Sequence, residues 1–312
     1  MSTRLSHFAK WRHRQRSRKE NTTPTCVFVL SGGGLNGAAQ VGMLRELLAA
    51  GIRPDALVGV SAGALNATYM ASWPLEEAVA GLCDVWMQIS REGIFDATST
   101  RRLWAVVRGH PSLDPGTKLA KLIEQHSKFD DISECLLPIR IGTLALESAE
   151  MVWWDKGPTT TLLRASSAIP GVFPPVLIDG ELHVDGGVAS PVPLAAAIEF
   201  SPTRLIVLDV SMITAPPGSD VVPDHIEQRS ALGVLLASFD ALRRRVADAE
   251  QAAVQEAVEI FTIRAGVPGA TDAATLARIP ELIEMGAAAA RELLKNHPEL
   301  LDHQLVLGRS DT

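Results

Sequence analysis

The chain has 312 residues, 46% of them hydrophobic, and a formal net charge of -7. That is ample for one large core, as a single α/β domain or one with a small cap. No apolar run approaches the roughly 20 residues that span a bilayer, there is no secretory apolar region, and three scattered cysteines exclude a disulfide framework or a zinc site.

The charge is uneven. Residues 1–19 hold Arg4, Lys10, Arg12, Arg14, Arg16, Arg18 and Lys19 and no acid, leaving 22 basic and 36 acidic residues in the remainder. Residues 1–23 read as a basic, disordered arm. It is either a solvated tail, an address, or a contact for an anionic surface. The expected surface is an anionic membrane; no nucleic-acid partner is expected. Cys26, Cys83 and Cys135 suggest buried thiols in a reducing compartment, so the expected location is cytoplasmic, peripheral to membrane at most.

Residues 25–30 form a short apolar run suited to a buried parallel strand. Ser31-Gly-Gly-Gly-Leu-Asn-Gly37 follows, then a helix from about Ala38 to Ala50, stopped by Gly51. Residues 56–60 are a second apolar strand, which runs into a helix starting near Ala62. Strand, glycine loop, helix, strand, helix is a right-handed parallel opening. Residues 74–90 read as a helix. Residues 91–116 mix Ile94, Phe95, Leu103 and Trp104 with arginines and are either a cap with apolar surface or an amphipathic connector. Further on come a helix at 115–126, a strand pair at 138–146 and 150–154, and a short helix at 159–168. A hairpin over 176–184 turns at Asp179-Gly180. A helix at 194–199, a buried strand at 204–210 and a proline-rich loop at 211–224 follow. One or two helices over 226–258, a strand at 259–264 and a helical region at 273–295 complete the domain. The tail, 298–312, is expected to be loose.

Three stretches carry chemistry. Gly59-Val-Ser61-Ala-Gly63 puts a serine at a strand-to-helix corner, where small flanks let the chain turn and the helix N-terminus favours developing negative charge. Gly32, Gly33 and Gly34 leave backbone N–H groups unobstructed after a strand, as an oxyanion hole requires. Gly32, Gly34 and Gly37 also fit the dinucleotide pattern G-x-G-x-x-G. That pattern needs an acid at the end of the second strand, and Asp55 stands at its start. His183-Val-Asp185-Gly186-Gly187 ends a strand in a glycine turn. Asp185 is either a plain turn residue or a base for Ser61. A free aspartate, with a pKa of about 3.9, is ionised but weakly basic at neutral pH. Since no histidine other than His183 has a catalytic setting, a Ser-Asp dyad is more economical than a triad.

The blocks together resemble the patatin-like phospholipase family, over residues 24–210. Ser31–Gly37 is similar to its oxyanion loop, Gly59–Gly63 to its nucleophile elbow, Asp185–Gly187 to its catalytic aspartate block. Ala165-Ser-Ser-Ala-Ile-Pro-Gly-Val-Phe-Pro-Pro175 is similar to a further stretch typical of the family. The resemblance implies a three-layer α/β fold with a mostly parallel central sheet, over residues 24–297. It implies Ser61 as nucleophile, Asp185 as proton acceptor, no metal or cofactor, and hydrolysis of phospholipid or lysophospholipid esters. Transacylation by the same dyad and non-catalytic lipid binding are the alternatives. Relatives usually carry Arg or Lys at Asn36 and often Asn at Ser190, and Ala145 and Ala149 replace a common Asp and Gly. These departures bear on substrate choice and efficiency.

Overall fold

Cys26–Leu30 (β1) is the strand on which the sheet is built. The computed structural model describes residues 26–93, 114–211, 231–254, 258–267 and 273–301. The basic arm at 1–23, the core of the connector at 91–116 and almost all of the proline loop lie outside them.

The remaining strands are β2 (Ala56–Val60), β3 (Ile139–Ala145), β4 (Met151–Trp154), β5 (Val176–Ile178), β6 (Glu181–Asp185), β7 (Arg204–Asp209) and β8 (Glu259–Arg264). They form one sheet along the hydrogen-bonded path β5-β6-β3-β2-β1-β7-β8, with β6 and β2 following one another on one edge of β3 and β4 paired to its other edge. β3, β2, β1, β7 and β8 run parallel, while β4, β5 and β6 join antiparallel.

The central strands are apolar throughout because both faces are covered. Side chains alternate: Phe28, Leu30, Leu57, Ile206 and Leu208 point into one core, and Val27, Val29, Val58, Leu205 and Val207 into the other. The first core is closed mainly by α1 (Gly37–Ala49), α2 (Ala62–Ser72), α3 (Leu75–Glu92), α4 (Thr117–His126), α5 (Thr159–Ser166) and a late helix. The second is closed by α6 (Leu194–Ile198) and α7 (Ala231–Val254). This is the expected three-layer α/β arrangement. In α3, Ala78, Leu82, Val85, Trp86 and Ile89 form the buried stripe, and Gly93 ends the helix in the left-handed region at φ 62°.

The helical region expected at 273–295 is present as two helices, α8 (Ala273–Ala277) and α9 (Ile279–Asn296). Pro280, in the first turn of α9, has no N–H to offer the Leu276 carbonyl, and Ser90 Oγ donates to that carbonyl instead at 2.7 Å. The tail is not loose at its start. Pro298–Leu300 closes a 3-10 turn and buries Leu300 in the core, 3% exposed.

Candidate active site

Register along β3 brings the two candidate reacting groups together. Val60, the last residue of β2, is opposite Gly142, and Asp185, the last residue of β6, is opposite Thr143. β4 pairs with Ile141–Leu144 and so occupies the other edge of β3. β2 and β6 therefore share one edge and meet end to end. Ser61, the next residue after Val60, and Asp185 fall at that junction.

Ser61 is the tight corner that the glycines imply. Its φ of 55° and ψ of -129° are strained for a residue with a side chain. It is the N-cap of α2, and its carbonyl accepts from Ala64 N at 2.9 Å. A Cβ on Gly59 would stand 2.4 Å from the Gly63 carbonyl oxygen, and one on Gly63 would stand 2.2 Å from that of Leu30. The corner closes only without side chains at either flank. Ser166 Oγ accepts the Ser61 N–H at 3.0 Å and donates to the Gly142 carbonyl at 2.8 Å. The strained residue is thereby tied to β3.

Asp185 is 5% exposed. Its backbone N–H donates to the Ala168 carbonyl at 3.0 Å, and its Oδ1 accepts from Gly187 N at 2.7 Å. A Cβ on Gly186 would stand 2.5 Å from the Gly142 carbonyl oxygen, so this turn too needs glycine. Burial pushes the Asp185 carboxyl above its ordinary range; the hydrogen bond from Ser61, the charge of Arg243 and the Gly187 N–H pull it back. Burial dominates, which strengthens the carboxylate as a base.

The glycine loop stands beside the serine. A Cβ on Gly32 would be 3.1 Å from Ser61 Cβ, and one on Gly33 would be 2.5 Å from the Val210 carbonyl oxygen. Gly34 has φ 56°, and a Cβ on Gly37 would press on Trp86 and Ala62. The Gly32 N–H is already committed, donating to the Pro191 carbonyl at 3.1 Å. The Gly33 and Gly34 N–H groups have no acceptor outside their own turn among the described residues. Beneath the loop runs a buried chain of amides. Trp86 Nε1 donates to Asn66 Oδ1 at 2.9 Å, and Asn66 Nδ2 donates to Gln40 Oε1 at 2.8 Å. Gln40 Nε2 donates to the Ser31 and Leu208 carbonyls, each at 3.0 Å. Each buried polar group is satisfied, so the network fixes the loop. Asn36 anchors the loop's far end: its Nδ2 donates to the Val267 carbonyl at 3.0 Å and its Oδ1 accepts Val267 N at 2.9 Å.

Two sequence alternatives find other employment. Asp55 Oδ2 accepts from Cys26 N at 2.7 Å, at the end of the sheet opposite the glycine loop, where it has no ribose to hold. His183 is engaged by Thr143 and Trp154, not by Ser61 or Asp185, among the described contacts. Trp154 Nε1 donates to Thr143 Oγ1 at 2.8 Å, and Thr143 Oγ1 shares a hydrogen bond with His183 Nδ1 at 3.0 Å. Among the described residues all three cysteines are free, and no three His, Cys, Asp or Glu side chains gather as a metal site. Burial, with Asp55 nearby, pushes the Cys26 thiol up to about 12. No described helix is long and apolar enough to cross a membrane.

Sequence reasoning left Ser166, Arg243 and Glu250 unnoticed. Glu250 Oε2 accepts from Ser190 Oγ at 2.9 Å and its Oε1 from Ala195 N at 2.8 Å. An open cavity of about 560 Å³ lies beside it, lined by Met151, Trp153, Ala189, Ser190, Val246 and Glu250 among others. It touches neither Ser61 nor Asp185. Burial raises the Glu250 carboxyl above its ordinary 4.5, against the pull of its donors. A raised folded pKa gives stability that is full below 4.5 and lost as pH rises through the folded value. Glu250→Gln removes that loss. Melting curves from pH 4 to pH 8 should therefore fall less with rising pH in the variant than in the wild type.

A model of the family described as patatin-like phospholipase matches residues 28–198. An uncharacterized NTE family protein of Mycobacterium tuberculosis is 26% identical over 213 residues, 65% of this chain and 54% of that protein. Patatin-like phospholipase domain-containing protein 7 of Rattus norvegicus is 28% identical over 215 residues, 67% of this chain and 15% of that protein. The chain thus spans about half the length, or less, of these curated relatives. Among solved structures, VipD from Legionella pneumophila aligns at a TM-score of 0.45 and 13% identity, covering 88% of this chain and 67% of that one.

Proposed function

The chain belongs to the patatin-like phospholipase family, and from that premise we propose that it is a serine hydrolase of lipid carboxylic esters, phospholipid or lysophospholipid. The observation that carries this reading is the strained, buried Ser61 set at the β2–β6 junction beside the buried Asp185.

Asp185 takes the hydroxyl proton as Ser61 Oγ bonds to the ester carbonyl carbon. The Gly33 and Gly34 N–H groups take the oxyanion, while Gly32, its own N–H engaged, keeps the loop close to Ser61. The carbon–oxygen bond to the alcohol or lysolipid breaks, and the proton on Asp185 passes to that oxygen. Water then attacks the acyl-Ser61 carbonyl, giving its proton to Asp185. The fatty acid leaves, and the proton returns to Ser61 Oγ. His183, held by Thr143, has no part in these transfers.

The test is hydrolysis of a graded series of p-nitrophenyl acyl esters, with diacyl phospholipid and lysophospholipid in micelles run in parallel. The expected result is release of fatty acid together with covalent labelling of Ser61 by a fluorophosphonate. Folded protein that neither turns over nor takes the label would overturn the reading. Product analysis with an added acceptor alcohol separates hydrolysis from acyl transfer.

A further inference from the structure

Helix α7 meets the aspartate turn at two points. Arg243 Nε donates to the Gly187 carbonyl at 2.6 Å. Seven residues further along, Glu250 receives Ser190 Oγ and Ala195 N at 2.9 and 2.8 Å. Two helical turns put both side chains on the same side of α7. The segment from Gly187 to Ala195 is therefore gripped at its two ends by opposite charges of one helix.

Gly187 lies between the cation and the base. A Cβ there would be 3.0 Å from Asp185 Oδ1 and 3.4 Å from Arg243 Nη2. Glycine leaves this gap open, and its N–H reaches Oδ1 at 2.7 Å.

We propose that Arg243 is a positioning residue for the catalytic aspartate: it fixes the Asp185–Gly187 turn through the Gly187 carbonyl and sets a positive charge beside the carboxylate. The proposal rests on the reading of Asp185 as base. In so dry a site a carboxylate without a cation tends to take up a proton and stop accepting one from serine. Arg243 opposes this, alongside Ser61 and the Gly187 N–H. Among the described residues around Asp185, Thr143 opposite it on β3 is neutral, and the His183 ring on β6 is turned to Thr143. A structural brace alone would act on the turn's position and leave the carboxylate's protonation untouched.

The test compares wild type, Arg243→Gln and Arg243→Lys. kcat/KM for a short-chain p-nitrophenyl ester is followed against pH. The Asp185 carboxyl is followed by carbon-13 titration, assigned by the signal lost in Asp185→Asn. In Arg243→Gln, both the acid limb of the profile and the carboxyl titration move to higher pH. The loss in kcat/KM is about tenfold on the acid side and smaller on the alkaline side. Arg243→Lys restores the position of both. An unmoved carboxyl titration in Arg243→Gln overturns the proposal, whatever happens to activity. Wild-type turnover in Ser61→Ala would instead sink the Ser-Asp reading, and the titration would still decide what Arg243 does.

Discussion

Ser61→Ala should lower ester turnover by about 10⁴-fold or more, to the assay background. Alanine keeps the Cβ and the N–H that Ser166 holds, so the corner survives and only the nucleophile goes. Asp185→Asn should cost about 10³–10⁴-fold. The asparagine oxygen still accepts from Gly187 N, but the amide turned to Ser61 donates where the carboxylate accepted. Stability should move the other way. Asp185 has its folded pKa raised, so its contribution is full below the ordinary 3.8 and is lost as pH rises through the folded value. Asparagine carries no such loss. The variant should therefore melt higher than wild type at pH 7–8, with the two converging in acid. Equal melting profiles across pH, or substantial turnover in either variant, would contradict the assignment.

Gly63→Ala should be the most damaging single methyl at the site. Its Cβ would stand 2.2 Å from the Leu30 carbonyl oxygen and 2.5 Å from that of Ser31. Both are backbone atoms of β1 and its exit, which cannot rotate away. The corner must back off from β1, and the glycine loop then loses its register with Ser61. We expect a loss of about 3 kcal/mol or more, a fall in melting temperature of roughly 6–12 °C for a domain of this size. Fluorophosphonate labelling of the protein that remains folded should fall with it. Wild-type melting and labelling together would show that α2 can shift without disturbing the nucleophile.

The parts of this site that rest on local geometry were legible in the chain. β1 and β2 are apolar runs because they are buried on both faces, and glycines mark the places where the backbone crowds itself. The hairpin turning at Asp179-Gly180 announced β6, hence where Asp185 would end. What no local pattern showed were contacts made across the fold. Arg243 stands in a run of three arginines, and nothing in the run says which one reaches Gly187. Ser166 and Ser167 are adjacent and chemically identical, yet Ser166 ties Ser61 to β3 while the buried Ser167 hydroxyl has no partner among the described residues. Gln40 and Asn66 did leave a trace, as amides amid small and apolar helix residues, a place where a polar side chain is kept only if it is satisfied. The break before Pro280 went unread, although proline fits the first turn of a helix and not its middle.

The end-to-end meeting of β2 and β6 on β3 bears on when the protein first becomes active during its own synthesis. The proposed nucleophile, Ser61, is carried by β2 and α2, which are made early. Its base arrives only with β6, and takes its place only when β6 pairs with Thr143–Ala145. Such pairing of distant segments is among the slower steps in building a sheet, because the intervening chain must be ordered first. A nascent or truncated chain that stops short of β6 holds a serine with no proton acceptor. On the proposed reading, the join in the sheet ties the chemistry to completion of the fold: ester cleavage would wait for β6 to take its place beside β3.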